Sequence, residues 1–137
     1  MSFRSLRFAV LLPALLGVSC TLIRPVPVSE NPAVLGLWEQ ARADSTGHKL
    51  QSAVAGIERA LRIEPRNPWL WQELARLHLA QAEYDQAESL AARSNSWAGS
   101  NNALRAANWR LIATAREARA DIEGAQAAAA RAAALER

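Results

Sequence analysis

Cysteine, histidine, lysine and glycine are all scarce in this 137-residue chain. The one cysteine is Cys20, which leaves no partner for a disulfide and no thiolate cluster for a metal. The two histidines, His48 and His78, have no second histidine at metal-ligand spacing, and the six glycines form no phosphate-cradling loop. No Asp and nucleophilic Ser are arranged around His48, and His78 falls in a helical pattern where a packed structural histidine is expected. Paired carboxylates such as Glu83, Asp85 and Glu88 stand where acidic residues favour a helix N-terminus. No catalytic residue, metal site or cofactor is therefore expected. Of the 16 basic residues only Lys49 is lysine; Arg4 and Arg7 precede Cys20, leaving 14 basic against 13 acidic residues in the remainder. Without a cluster of positive charge, nucleic-acid binding is not expected. No stretch sustains the apolar–polar alternation of a strand, so no sheet is expected.

The N-terminus is organised around Cys20. Arg4 and Arg7 lead into the apolar run from Phe8 to Leu16, followed by Gly17-Val18-Ser19-Cys20. This is a basic start, an apolar stretch of signal-peptide length and small residues at the cleavage position. The run falls short of the roughly 20 apolar residues a membrane-spanning helix needs. The pattern resembles a bacterial lipoprotein lipobox, with Gly17 where leucine is usual. The resemblance implies a cleaved signal peptide over residues 1–19, lipidation of Cys20 and a membrane anchor there. Thr21 follows Cys20 in place of the aspartate that often retains such proteins at the inner membrane. The expected location is thus the outer membrane, facing the periplasm. Residues 20–31 form a tether in which Pro25 and Pro27 favour an extended backbone, reaching on the order of 30 Å at about 3.1 Å per residue.

Residues 32–137 read as helices in pairs. From Lys49 to Ile63 the apolar positions Leu50, Ala53, Val54, Ile57, Ala60 and Leu61 share one helical face. Glu64-Pro65 stops that helix, and Asn67-Pro68 opens the next as N-cap and first-turn proline. Trp71, Leu74, Ala75 and His78 are expected on its buried side. After a polar break at Ala82-Glu83, a further helix runs through Ala87, Leu90 and Ala91.

Internal similarity makes the reading specific. Trp71, Leu74, Ala75, Tyr84, Ala87 and Ala91 have spacings that resemble a tetratricopeptide repeat, and Ala53 to Ala87 is 34 residues. Trp109, Ile112, Ala113, Ile122, Ala125, Ala129 and Ala132 repeat the pattern at an offset of 38, which suggests four residues inserted around Ser96–Ser100. Trp38 and Ala41 fit the first helix of a weaker initial copy, with a turn at Ser45-Thr46-Gly47. The resemblance implies an all-α, tetratricopeptide-like solenoid of about three helix pairs after a cleaved lipoprotein signal peptide. Gln40 and His78 stand where apolar or aromatic residues are usual. The last helix is alanine-rich, so its face is a candidate to be covered by a partner or by a second copy of the chain in a homo-oligomer.

In this family the first helix of each pair lines an inner groove. By register the groove candidates are Glu39, Trp69, Gln72, Arg76, Arg110 and Thr114. Arg76 and Arg110 are suited to carboxylates, which a guanidinium grips through two parallel hydrogen bonds; Trp69 is suited to anchor an interface. The signal, the tether and the segment Arg62–Trp71 are also similar to tetratricopeptide lipoproteins of Gram-negative bacteria that activate bifunctional penicillin-binding proteins. That resemblance implies a protein partner of the class A penicillin-binding type and an allosteric role in peptidoglycan synthesis, with no chemistry in this chain. It leaves open an assembly factor or pilotin for outer-membrane machinery, and a self-associating structural lipoprotein.

Overall fold

The computed structural model describes residues 28–137; the expected signal peptide over 1–19, Cys20, Pro25 and Pro27 lie outside the described residues. Six helices follow one another: α1 (Pro32–Thr46), α2 (Leu50–Ile63), α3 (Pro68–Ala80), α4 (Tyr84–Trp97), α5 (Asn102–Ala118) and α6 (Ile122–Ala134). No strand occurs among the described residues. Short turns fold α1 on α2, α3 on α4 and α5 on α6 as antiparallel pairs, and the pairs stack in order.

The punctuation of the helices repeats. Each pair opens with an asparagine cap. The side-chain oxygen of Asn31 accepts from the Ala33 N–H, that of Asn67 from Trp69 and Leu70, and that of Asn101 from Leu104. Pro32 and Pro68 occupy the first helical turn, where their missing N–H costs nothing. Within each pair the turn is a Schellman motif. His48, Ala82 and Ala120 take left-handed conformations with φ of 60°, 59° and 62°. Their N–H groups bond three residues back, to Ser45, Leu79 and Glu117. The next N–H in each case reaches five residues back, to Asp44, His78 and Arg116. Ser45 and Thr46 thus still belong to α1, and the first turn begins at Gly47.

The four extra residues of the third copy are not in a loop. The turns Glu64–Asn67 and Ala98–Asn101 are equally long, whereas α5 has 17 residues against 13 in α3. The insertion expected around Ser96–Ser100 is instead one added turn at the start of α5. Four residues is close to one 3.6-residue turn, so Trp109 and Ile112 keep the facing of Trp71 and Leu74. Trp97 accordingly ends α4 and is not part of an inserted loop.

Two clusters make the core. The first joins α1, α2 and α3 through Val34, Val54, Ile57, Leu61, Leu70, Leu74 and Leu77. Leu70 and Leu77 are more deeply buried than Trp71 and His78, which are only partly covered. Close approach of α1 and α2 depends on Gly56, where an added Cβ would lie 3.3 Å from the Ala41 methyl. The second cluster, beyond α3, is built from smaller residues: Ala75, Ala91, Ile112 and Ala128, flanked by Leu90 and Trp109. Helix α6 buries only Ala125, Ala128 and Ala132.

The left-handed turns generate a test. A non-glycine residue in that conformation costs roughly 1–2 kcal/mol, so Ala82→Gly and Ala120→Gly should each stabilise the domain. The expected gain is about 1 kcal/mol, a rise of about 4–8 °C in thermal midpoint for a domain of this size. Gly99, with φ 55° and open space around it, should show the reverse as Gly99→Ala. A fall in midpoint for both alanine replacements would contradict this account of the turns.

Candidate partner-binding groove

Helices α3 and α5 lie side by side as the first members of adjacent pairs. Residues four apart on a helix share a face, so Gln72 and Arg76 of α3 confront Arg110 and Thr114 of α5. With Ala107 and Leu111 these line a shallow groove of about 210 Å³. Four of the residues singled out by register therefore converge. Glu39 is exposed on α1, apart from them. Trp69 is half-buried at the start of α3 and lines a different recess, with Val28 and the turn from Glu64 to Pro68.

The groove is cationic and open. The Arg76 side chain is 65% exposed, with only Glu73 nearby at 3.9 Å, and Arg110 is 55% exposed and pairs with Glu136. Exposed pairs of this kind are worth between zero and about 1 kcal/mol. A partner carboxylate can therefore displace them at little cost. Thr114 donates its hydroxyl to the Arg110 carbonyl one turn back.

The floor of the groove is a buried polar network. Gln72 Nε2 donates to Asn108 Oδ1 at 3.0 Å, and Asn108 Nδ2 donates to Ser94 Oγ at 2.7 Å and to Asn95 Oδ1 at 2.9 Å. Ser94 Oγ in turn donates to the Pro68 carbonyl at 2.7 Å. Asn108 and Ser94 are fully buried. The network ties α3, α4 and α5 together beneath the groove, so that Gln72 belongs to both. Sequence reasoning missed Asn108. The available signal was a polar residue in phase with Leu104, Ile112 and Ala115, at the position Leu70 holds 38 residues earlier.

On the far side of the sheet of helices, arginines of the second helices lie over tryptophans of the first. The Arg93 guanidinium is 4.6 Å from the Trp71 ring centre, and Arg131 is 4.6 Å from Trp109, both pairs related by the same offset. Arg116 and Arg119 of the α5 end clasp Glu88, and Arg119 also meets Asp85. The hydrogen bond to Glu88 raises the pKa of Arg116 above its ordinary value. Arg116 thus stays protonated and meets Glu88 as a cation. A larger, mainly apolar recess of about 670 Å³ lies between α2, α3 and α4, walled by Leu61, Trp71, Leu74 and Leu90. His78, at its edge, is bound through Nδ1 to Glu83 across the α3–α4 turn. Among the described residues no group of three or more His, Cys, Asp or Glu is placed to hold a metal ion. No described helix is long and apolar enough to cross a membrane.

Comparison with known proteins agrees with this architecture. The tetratricopeptide repeat family model matches residues 47–107. The globular C-terminal domain of P. aeruginosa LpoP is similar at 40% sequence identity and a TM-score of 0.74, over 76% of this chain and 98% of that one. The N-terminal domain of stress-induced protein-1 (STI-1) from C. elegans is similar in fold, with a TM-score of 0.70 at 12% identity, over 75% of this chain and 84% of that one. No match is found among curated proteins.

Removing Asn108 should expose its structural weight. Asn108→Ala strips partners from Gln72, Ser94 and Asn95 and leaves a void, with an expected cost of roughly 2–4 kcal/mol in urea unfolding. Arg76→Ala on the open surface should change stability by less than about 0.5 kcal/mol. Equal small effects for the two would mean that the network does not hold the groove floor.

Proposed function

The chain belongs to the tetratricopeptide-repeat family and shares its helical domain with LpoP, and on that premise we propose that it regulates a peptidoglycan synthase. The fold is that of a protein-interaction scaffold and not of an enzyme. In the proposed reading Cys20 carries the lipid, the chain is anchored in the outer membrane facing the periplasm, and the partner is a class A penicillin-binding protein. The observation that carries this reading is 40% identity across nearly the whole of the LpoP globular domain. The resemblance of the signal, tether and Arg62–Trp71 segment to lipoprotein activators of such synthases supports it.

The mechanism in this reading is a shift of population. A scaffold without chemistry accelerates a synthase only by binding its active conformation more tightly than its inactive one. A coupling of about 1–3 kcal/mol corresponds to roughly 5–150-fold. Arg76 and Arg110, with Gln72 and Thr114 between them, offer a cationic groove for acidic side chains of the partner. The network under Gln72 holds α3 and α5 at a fixed separation, so the groove is formed before the partner arrives.

Glycan polymerisation by a class A synthase, followed with and without the full-length lipidated protein in detergent micelles, tests this. The expected result is an increase of roughly fivefold or more, lost in an Arg76→Glu, Arg110→Glu variant whose thermal midpoint is unchanged. Absence of both binding and stimulation would sink the synthase reading. Retrieval of a secretin or other outer-membrane assembly protein from solubilised envelopes would favour the assembly-factor reading instead.

A further inference from the structure

The solenoid has two edges of opposite character. At one edge lie the turns within each pair, where Asp44, Glu83, Asp85, Asp121 and Glu123 outnumber Lys49, Arg116 and Arg119, and Arg119 is paired with Asp85. At the other lie the C-terminal ends of α2 and α4 and the turns that follow them. That edge presents Arg59, Arg62, Arg66 and Arg93, all exposed. Of the acidic residues there, Glu64 is engaged by the Ser29 hydroxyl at 2.6 Å and by Asn67 Nδ2 at 2.7 Å, Glu136 pairs with Arg110, and Glu30 is exposed.

Exposed apolar groups sit on the same basic edge. Ile63 is 46% exposed and Trp97 43%, at equivalent positions ending α2 and α4. The Arg66 guanidinium lies 5.3 Å from the centre of the Trp97 ring, which brings the two sites together. The helix macrodipole accounts for an arginine such as Arg62 in a last turn. It does not account for Arg66, which is outside the helices, or for an uncovered tryptophan and isoleucine beside it.

The tether leaves from this edge as well. Asn67 Nδ2 donates to the Val28 carbonyl at 2.8 Å, Ser29 is buried, and Val28 packs against the first core cluster. The chain is therefore held to the α2–α3 turn from Val28 onward, and the tether is shorter than residues 20–31 suggested. Only Thr21 to Pro27 separate Cys20 from Val28, a reach of at most roughly 25–30 Å when fully extended.

We infer that the edge bearing Ile63, Trp97, Arg62 and Arg66 lies against an anionic phospholipid surface and fixes the orientation of the domain on the membrane. The inference rests on the reading of Cys20 as the lipid anchor. Tryptophan partitions to the headgroup level, where its ring is apolar and its N–H wet. Arginines beside it meet lipid phosphates, and a basic patch supplements an acyl anchor as a second membrane signal. The acidic edge then points away from the bilayer, repelled by the same surface.

The test uses the full-length lipidated protein in vesicles of phosphatidylethanolamine and phosphatidylglycerol. With Cys20 acylated, a new cysteine is the one free thiol, and a fluorophore is placed by Ser100→Cys on the basic edge or by His48→Cys on the opposite edge. Headgroup nitroxide lipids should quench the Ser100 label roughly twofold or more and the His48 label far less. An added Arg62→Glu, Arg66→Glu, Trp97→Ser change should bring the two labels to equal quenching while the protein still floats with the vesicles. Equal quenching of both labels in the unaltered background, on protein that floats, overturns the orientation and leaves the anchor intact. Protein that does not float shows that Cys20 is not the anchor, and the inference falls with it.

Discussion

A helix hairpin with apolar residues on both flanks is stable only when a neighbour covers each flank, and this domain has three hairpins to satisfy that demand. The middle pair, α3 and α4, is covered on both sides; the outer two each leave one flank to solvent. The two junctions are not alike. Between the first and second pairs the contact is aliphatic, with Ile57 and Leu70 completely buried. Between the second and third the corresponding place is taken by Asn108 and its hydrogen bonds.

That network, set beside the packing of Ala75, Ala91 and Ile112, shapes the groove. Aliphatic contact is non-directional. A buried asparagine that must satisfy Gln72, Ser94 and Asn95 together specifies one relative placement of three helices. Gln72 then presents its remaining surface to the groove beside Arg76, opposite Arg110 and Thr114. Positioning of the groove and integrity of the second junction therefore rest on the same few atoms.

Charge is distributed along the helix axes as well as around them. Acidic residues stand at the starts of α4 and α6 and Arg62 in the last turn of α2, as the macrodipoles favour. Because the pairs are antiparallel, each edge carries helix starts and helix ends together: the within-pair edge gathers acidic residues along with Arg116 and Arg119, and the other edge gathers Arg62 and Arg66. The tether joins the basic edge at Asn67. The groove between α3 and α5 lies between the two edges, so the proposed membrane orientation would leave the groove open to a protein partner.

Much was legible in the sequence because it depends on local chemistry. The Asn67 cap, the Pro65 stop and a 34-residue recurrence of small and large apolar residues point to helices in about three pairs. Spacing of four along a helix was enough to place Gln72 with Arg76 and Arg110 with Thr114. The tertiary structure decided what depends on residues distant in the chain. It put the four-residue insertion into α5, because a helical turn preserves facing where a loop need not. It buried Asn108 in place of a leucine, because Gln72, Ser94 and Asn95 come from two other helices that no local pattern brings together. It separated Trp69 and Glu39 from the groove, and it fastened Val28 to Asn67 across 39 residues. Periodicity states which way a side chain faces on its own helix; only the packed chain determines what it meets there.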